Sequence, residues 1–143
     1  GKNGRNLAKF VTDFKQKSPE TKIRLMGHSL GAHVILSTIK NLAKNTKNKG
    51  IIEAAYLFGG SIPSDALSAK NASYVQKIVS KKIRNYYSPH DEVLRVVDDW
   101  NWVNTPIGYK GAHGKTIPKY SQTMVKPKNH RFASYAAVLR SFP

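Results

Sequence analysis

The stretch IRLMGHSLGAHV at residues 23–34 constrains the fold of this chain more than any other. Residues 23–26 form a short apolar run that favours an extended chain. From Leu30 onward, Val34, Ile35, Ile39, Leu42 and Ala43 recur at helical spacing, which predicts a helix over about residues 30–44. Only Gly27-His28-Ser29-Leu30-Gly31 separates the two. A strand that passes into a helix within so few residues belongs to a strand–helix unit, and such units build parallel sheets.

The remaining pattern agrees. Leu7, Phe10, Val11 and Phe14 follow i, i+3, i+4, i+7 spacing, so residues 3–16 read as an amphipathic helix with those four side chains inward. Ser18-Pro19 ends it. IIEAAYLFGG (51–60) reads as a buried strand closing on two glycines. Residues 71–81 read as a helix with Tyr74, Val75, Ile78 and Val79 inward, and 83–88 as another strand. A short helix is expected near Glu92. Residues 98–128 are rich in Trp, Gly, Pro and Lys and read mostly as loop, with a strand near residues 102–109. Phe132, Tyr135, Ala136 and Leu139 mark a last helix. The strands are apolar throughout rather than alternating, which predicts α/β architecture: a parallel sheet with helices on both faces.

Length and composition set outer bounds. The 143 residues suit one domain over 1–143, and a 40% hydrophobic content supplies a core. No apolar run approaches the ~20 residues that span a bilayer. With no cysteine there are no disulfides, thiolate metal sites or thiol nucleophile, which fits a reducing cytoplasm. The net charge of +16 favours contact with an anionic surface. The lysines are scattered, for example Lys40, Lys44, Lys47 and Lys49, with no basic block interleaved with aromatics. Specific nucleic-acid binding is therefore not expected.

Gly-X-Ser-X-Gly between strand and helix is the pattern of a nucleophile elbow. It predicts a strained backbone at Ser29, with the hydroxyl projecting at the C-terminal edge of the sheet. Glycine is expected at both Gly27 and Gly31, where side chains would collide as strand and helix fold back on each other. The Leu30 N–H, at the start of the helix, is placed to stabilise an oxyanion beside Ser29.

In these residues the chain resembles the α/β-hydrolase superfamily. The resemblance implies a Ser, acid, His order along the chain. For the acid, NYYSPHDEVLRVV (85–97) places Asp91 just past a strand, ahead of Asp65, Glu92, Asp98 and Asp99. Asp91 is equally suited to cap a helix, and the two roles are compatible. For the base, His28 and His33 belong to the elbow and its helix, and His90 adjoins the acid. His130, before the last helix, is preferred over His113 in the Gly-rich stretch GYKGAHGK. The elbow GHSLG also resembles that of pancreatic-type lipases, but their acid sits one strand earlier, where this chain reads LFGGSIP without Asp. A closer resemblance is to the intracellular hydrolase-like group that includes the transmembrane and coiled-coil domain proteins. It rests on Gly59-Gly60, on Tyr87-Ser88 with Asp91 and Leu94, on Pro106-Ile107-Gly108-Tyr109, and on His130 to Tyr135, which departs from the group's pattern by one extra residue.

The resemblance implies a serine hydrolase of carboxylic esters, with Ser29, Asp91 and His130 catalytic, Leu30 in the oxyanion hole, and no cofactor or metal. The expected substrate is a small-molecule or lipid ester. Trp100, Trp102, Tyr109 and Tyr120 are candidates to line an acyl pocket or simply to pack a loop. The alternative is a non-catalytic binding module whose basic surface meets an anionic membrane or acidic partner. The resemblance also implies strands ahead of the elbow that this sequence lacks, so the chain is expected to be either the C-terminal portion of the fold or a reduced version of it, the former preferred. The 23–26 strand would then need a cover on its free edge: a further segment, a second chain, or a return of residues 100–125.

Overall fold

The structure is a computed structural model that describes residues 1–96 and 105–139. Along the chain it forms α1 (Lys2–Lys17), β1 (Arg24–His28), α2 (Gly31–Leu42), β2 (Ile52–Phe58), α3 (Ser73–Ile78), β3 (Val79–Tyr87), α4 (Glu92–Val96), α5 (Ile107–Lys110), β4 (Tyr120–Met124) and α6 (Phe132–Ala137). The strands make one sheet in the order β1-β2-β3-β4, and every pairing is parallel. The α/β class expected from the sequence is the class observed.

All seven residues of β2 are buried, because β2 has a strand on each side and packing on each face. Ala55 and Leu57 point into a core shared with Leu25, Ile83, Ile35 and Ile39 of α2, and Val75 and Ile78 of α3. Ala54, Tyr56 and Phe58 point the other way, into a smaller core with Tyr86, Val125 and Tyr135. That face is packed by α6, so helices lie on both sides.

Three expectations are corrected. In α1 the buried stripe is Gly4, Ala8 and Val11, while Phe10 and Phe14 stack on each other in the open, with Phe10 63% exposed. The reason is close packing on α2: a Cβ at Gly4 would lie 2.1 Å from Ser37 Oγ. Small residues therefore win the interface over aromatic ones. Second, the region read as loop contains a strand, β4, and residues 107–110 form the helix α5 rather than a strand. Of the rest of that expected strand, Pro106 forms an isolated antiparallel bridge with Pro63, while residues 102–104, with Trp102, lie outside the described residues, as does Trp100. Third, the return of residues 100–125 does occur, but β4 adds to β3 at the far side of the sheet. Among the described residues no strand pairs with the free edge of β1.

Candidate functional site

The site lies at the C-terminal ends of the strands. Between β1 and α2, Ser29 has φ +57°, a left-handed conformation that a side-chain-bearing residue rarely holds. The turn is tied down on both sides. The Ser29 N–H donates to Phe58 O (3.0 Å), while Ser29 O accepts from the N–H groups of Ala32 (3.2 Å) and Ser61 (3.1 Å). These bonds anchor the turn to β2 and to the start of α2, which offsets the strain.

The two glycines of the motif differ. A Cβ on Gly27 would lie 2.7 Å from both Gly31 O and Ile35 Cγ1, so strand and helix meet there too closely for any side chain. A Cβ on Gly31 would meet nothing within 4 Å, which corrects the expectation of a collision at that position. What the helix contributes to the crossing at Gly31 is its carbonyl.

Ser29, His130 and Asp91 come together although far apart in sequence. The Ser29 hydroxyl donates to His130 Nε2 across 2.8 Å. His130 Nδ1–H donates to Asp91 Oδ2 across 2.5 Å. This tautomer follows from the network, since a carboxylate beside Nδ1 needs a donor there. Asp91 is buried, and its Oδ1 accepts from the Leu94 N–H (3.1 Å), so it caps α4 while facing His130. The Leu30 N–H adjoins Ser29 at the mouth of α2, and among the described residues nothing accepts a hydrogen bond from it.

The other candidates lie elsewhere. Asp65 is bonded to Asn71, and Glu92 is paired with Arg95 at the surface. His33 and His90 are exposed. His113 is exposed in the segment before β4, with its N–H on Ser64 O. Asp98 and Asp99 lie outside the described residues. Tyr109 is buried, and Tyr120 accepts from Asn85 Nδ2 and donates to Gln122 Oε1. Among the described residues no group of three or more His, Asp or Glu is placed to hold a metal ion.

The glycine-rich pieces of the sequence form one close contact behind the site. A Cβ on Gly108 would lie 2.1 Å from Gly60 N, and the Gly108 N–H donates to Gly60 O (3.0 Å). Segment 106–109 thus crosses directly over the end of β2. Two participants escaped the sequence reading. His28, set aside as part of the turn, donates from Nε2 to the backbone carbonyl of His130. Tyr135, read as core, donates its hydroxyl to Asp91 Oδ2 across 2.6 Å. The only sequence signal for the second was its place five residues beyond His130, one more than in the pattern the chain resembles.

Fold and site together define an α/β protein with a serine, a histidine and a buried aspartate aligned at the C-terminal end of a parallel sheet. Residues 1–107 match the model of the family described as "Protein of unknown function (DUF726)", and the chain belongs to that family. The Transmembrane and coiled-coil domain-containing protein STS1 of Oryza sativa subsp. japonica is 30% identical over 95 residues, 66% of this chain and 14% of its own length. An uncharacterized membrane protein of Caenorhabditis elegans is 37% identical over 73 residues, 51% of this chain and 11% of its own length. Phospholipase A1 4 of Polistes dominula is 34% identical over 96 residues, 59% of this chain and 30% of its own length. The chain thus spans under a third of each of these relatives. No solved structure gives a significant match. Among the described residues no helix is long and apolar enough to cross a membrane.

Proposed function

We propose that this chain carries the working part of a serine hydrolase of carboxylic esters. The observation that supports it is the unbroken hydrogen-bonded line from Ser29 Oγ through His130 to Asp91. On this reading Gly27 to Gly31 is a nucleophile elbow and the three residues are a catalytic triad. Ser29 Oγ attacks the ester carbonyl carbon as its proton passes to His130 Nε2. The carbonyl oxygen, now anionic, takes the Leu30 N–H. The C–O bond to the alcohol then breaks, and His130 returns the proton to the leaving alkoxide. Water repeats the sequence on the acyl-enzyme and releases the acid. Asp91 holds His130 in the required tautomer and stabilises its charged form.

The phospholipase A1 relatives favour a lipid ester as substrate, and the net charge of +16 favours meeting it at an anionic surface. The free edge of β1 leads to a companion proposal. A further segment or second chain pairs there and supplies the second oxyanion donor, whose absence costs about 10²–10³ in rate.

A fluorophosphonate probe tests the reading on residues 1–143. Ser29 is expected to be labelled and Ser29→Ala to stay unlabelled and inactive toward nitrophenyl esters. Labelling that survives Ser29→Ala, or wild-type protein that never labels, overturns it. Sizing the same sample tests the companion proposal, which predicts self-association or weak turnover. A monomer with full turnover sinks it.

A further inference from the structure

A buried phenol needs a hydrogen-bond acceptor, and most find a backbone carbonyl or a water. Tyr135 uses the acid of the candidate site instead. Its side chain is fully buried, and its hydroxyl donates to Asp91 Oδ2, the same oxygen that accepts from His130 Nδ1. Asp91 Oδ1 is already taken by the Leu94 N–H. Each carboxylate oxygen is therefore occupied, and the oxygen facing His130 divides its charge between two donors.

The position is built in from two sides. Tyr135 stands on α6, which begins two residues after His130, so five residues of chain join the two donors that meet on Asp91. Opposite, Gly59 at the end of β2 has φ +54°, and a Cβ there would lie 2.9 Å from both Tyr135 Cζ and Oη. The strand omits a side chain where the phenol stands. Burial first, and then the bond to Asp91, push the phenol well above its ordinary range, so it remains a donor wherever the site would work.

We propose that Tyr135 is a positioning residue that sets the basicity of His130 by sharing the Asp91 oxygen on which the imidazole depends. This rests on the triad reading of Ser29, Asp91 and His130. The carboxylate competes for the imidazolium less strongly while the phenol holds part of its charge. Removing the phenol's hydrogen would return that charge to the imidazolium and hold its proton more tightly. Among the described residues the groups facing the pair are few. His28 comes from the end of β1, with its ring 4.9 Å from that of His130, and Tyr135 comes from α6. The end of β2 brings Phe58 and Gly59, neither of which carries a titratable side chain. Tyr86 of β3 is stacked on Phe58, and Glu92 of α4 is turned outward to Arg95.

The test is the titration of His130 followed by NMR on the ligand-free protein, with the pH profile of Ser29 labelling beside it. Tyr135→Phe keeps the ring and removes the donor. The His130 midpoint is expected to rise by about half a unit or more, and the acid limb of the labelling profile to rise with it. Site-specific 3-fluorotyrosine at position 135 keeps the shape and strengthens the donor, so the midpoint is expected to fall. This second arm decides the matter if Tyr135→Phe does not fold. Midpoints unmoved by 3-fluorotyrosine, or moved in the same direction by both changes, overturn the proposal and leave Tyr135 a packing residue. His130 titrates with or without an esterase. Midpoints that move as expected in a protein that never labels would uphold the positioning role while sinking the hydrolase reading.

Discussion

Two buried carboxylates stand at opposite ends of the same sheet, and they are held in different ways. Near the N-terminal ends, Glu53 of β2 is 6% exposed and surrounded by cations: Arg24 Nε at 2.9 Å, Lys22 at 3.4 Å and Lys81 at 3.8 Å. All three cations are themselves more than half exposed. At the C-terminal ends, Asp91 has no such cation among its hydrogen-bond partners. It is held by an amide, an imidazole and a phenol. Cations compensate a buried charge from many directions, and their long side chains adopt many geometries. Three short donors on fixed elements allow one geometry. The first arrangement suits holding strands together, and the second suits moving a proton along a defined line.

The sharpest way to break the comparison is to make each carboxylate an amide. Asp91→Asn keeps an acceptor for the Leu94 N–H but presents an NH₂ where His130 Nδ1–H donates. The imidazole must then turn or change tautomer, so ester turnover is expected to fall by about 10⁴. A thermal melt should show the protein still folded. If turnover survives Asp91→Asn and disappears instead with Asp65→Asn, the acid has been misassigned and the contrast between the two ends fails.

How far the sequence foretold these two ends follows from what each depends on. That Ser29, Asp91 and His130 come together was legible because a turn pattern, the chain order the resemblance implies and the ends of predicted elements narrow the choice to few residues. The helices α1 and α2 and the strands β1 to β3 were legible because each carries an apolar run or period. β4 was not, since YSQTM is polar and sits half-buried at the edge of the sheet, where little of it enters a core. The inward face of α1 was misjudged for a related reason. Periodicity marks apolar residues, but the contact with α2 required small ones, and Gly4 and Ala8 carry no hydrophobic signal to match Phe10 and Phe14. Tyr135 was read as core because a buried tyrosine looks the same in sequence whether its hydroxyl meets a carbonyl or a carboxylate. Glu53 gave no signal either, since its partners Arg24, Lys22 and Lys81 assemble only once β1, β2 and β3 are aligned.

The smallest effect comes from the other carboxylate, and it sharpens the contrast through its sign. The bond from Arg24, helped by Lys22 and Lys81, holds Glu53 below its ordinary value of 4.5 despite the opposing effect of burial. A carboxyl group lowered on folding stabilises the fold while ionised. Its contribution is complete above about pH 4.5 and is lost as pH falls through the lower, folded value. Because the three cations are largely in water, solvent and salt screen the gain, and Glu53→Gln is expected to lower Tm by a few degrees at most near pH 7. Esterase turnover should be unchanged, since Glu53 lies at the far end of the strands from Ser29. The difference in Tm between wild type and Glu53→Gln should close as the pH is taken below 4.5, and it should shrink in high salt. Paired melts across that range check both. A gap that stays constant down to low pH would mean that Glu53 acts through packing or hydrogen-bond geometry rather than through charge. The two ends of the sheet would then be held in the same way.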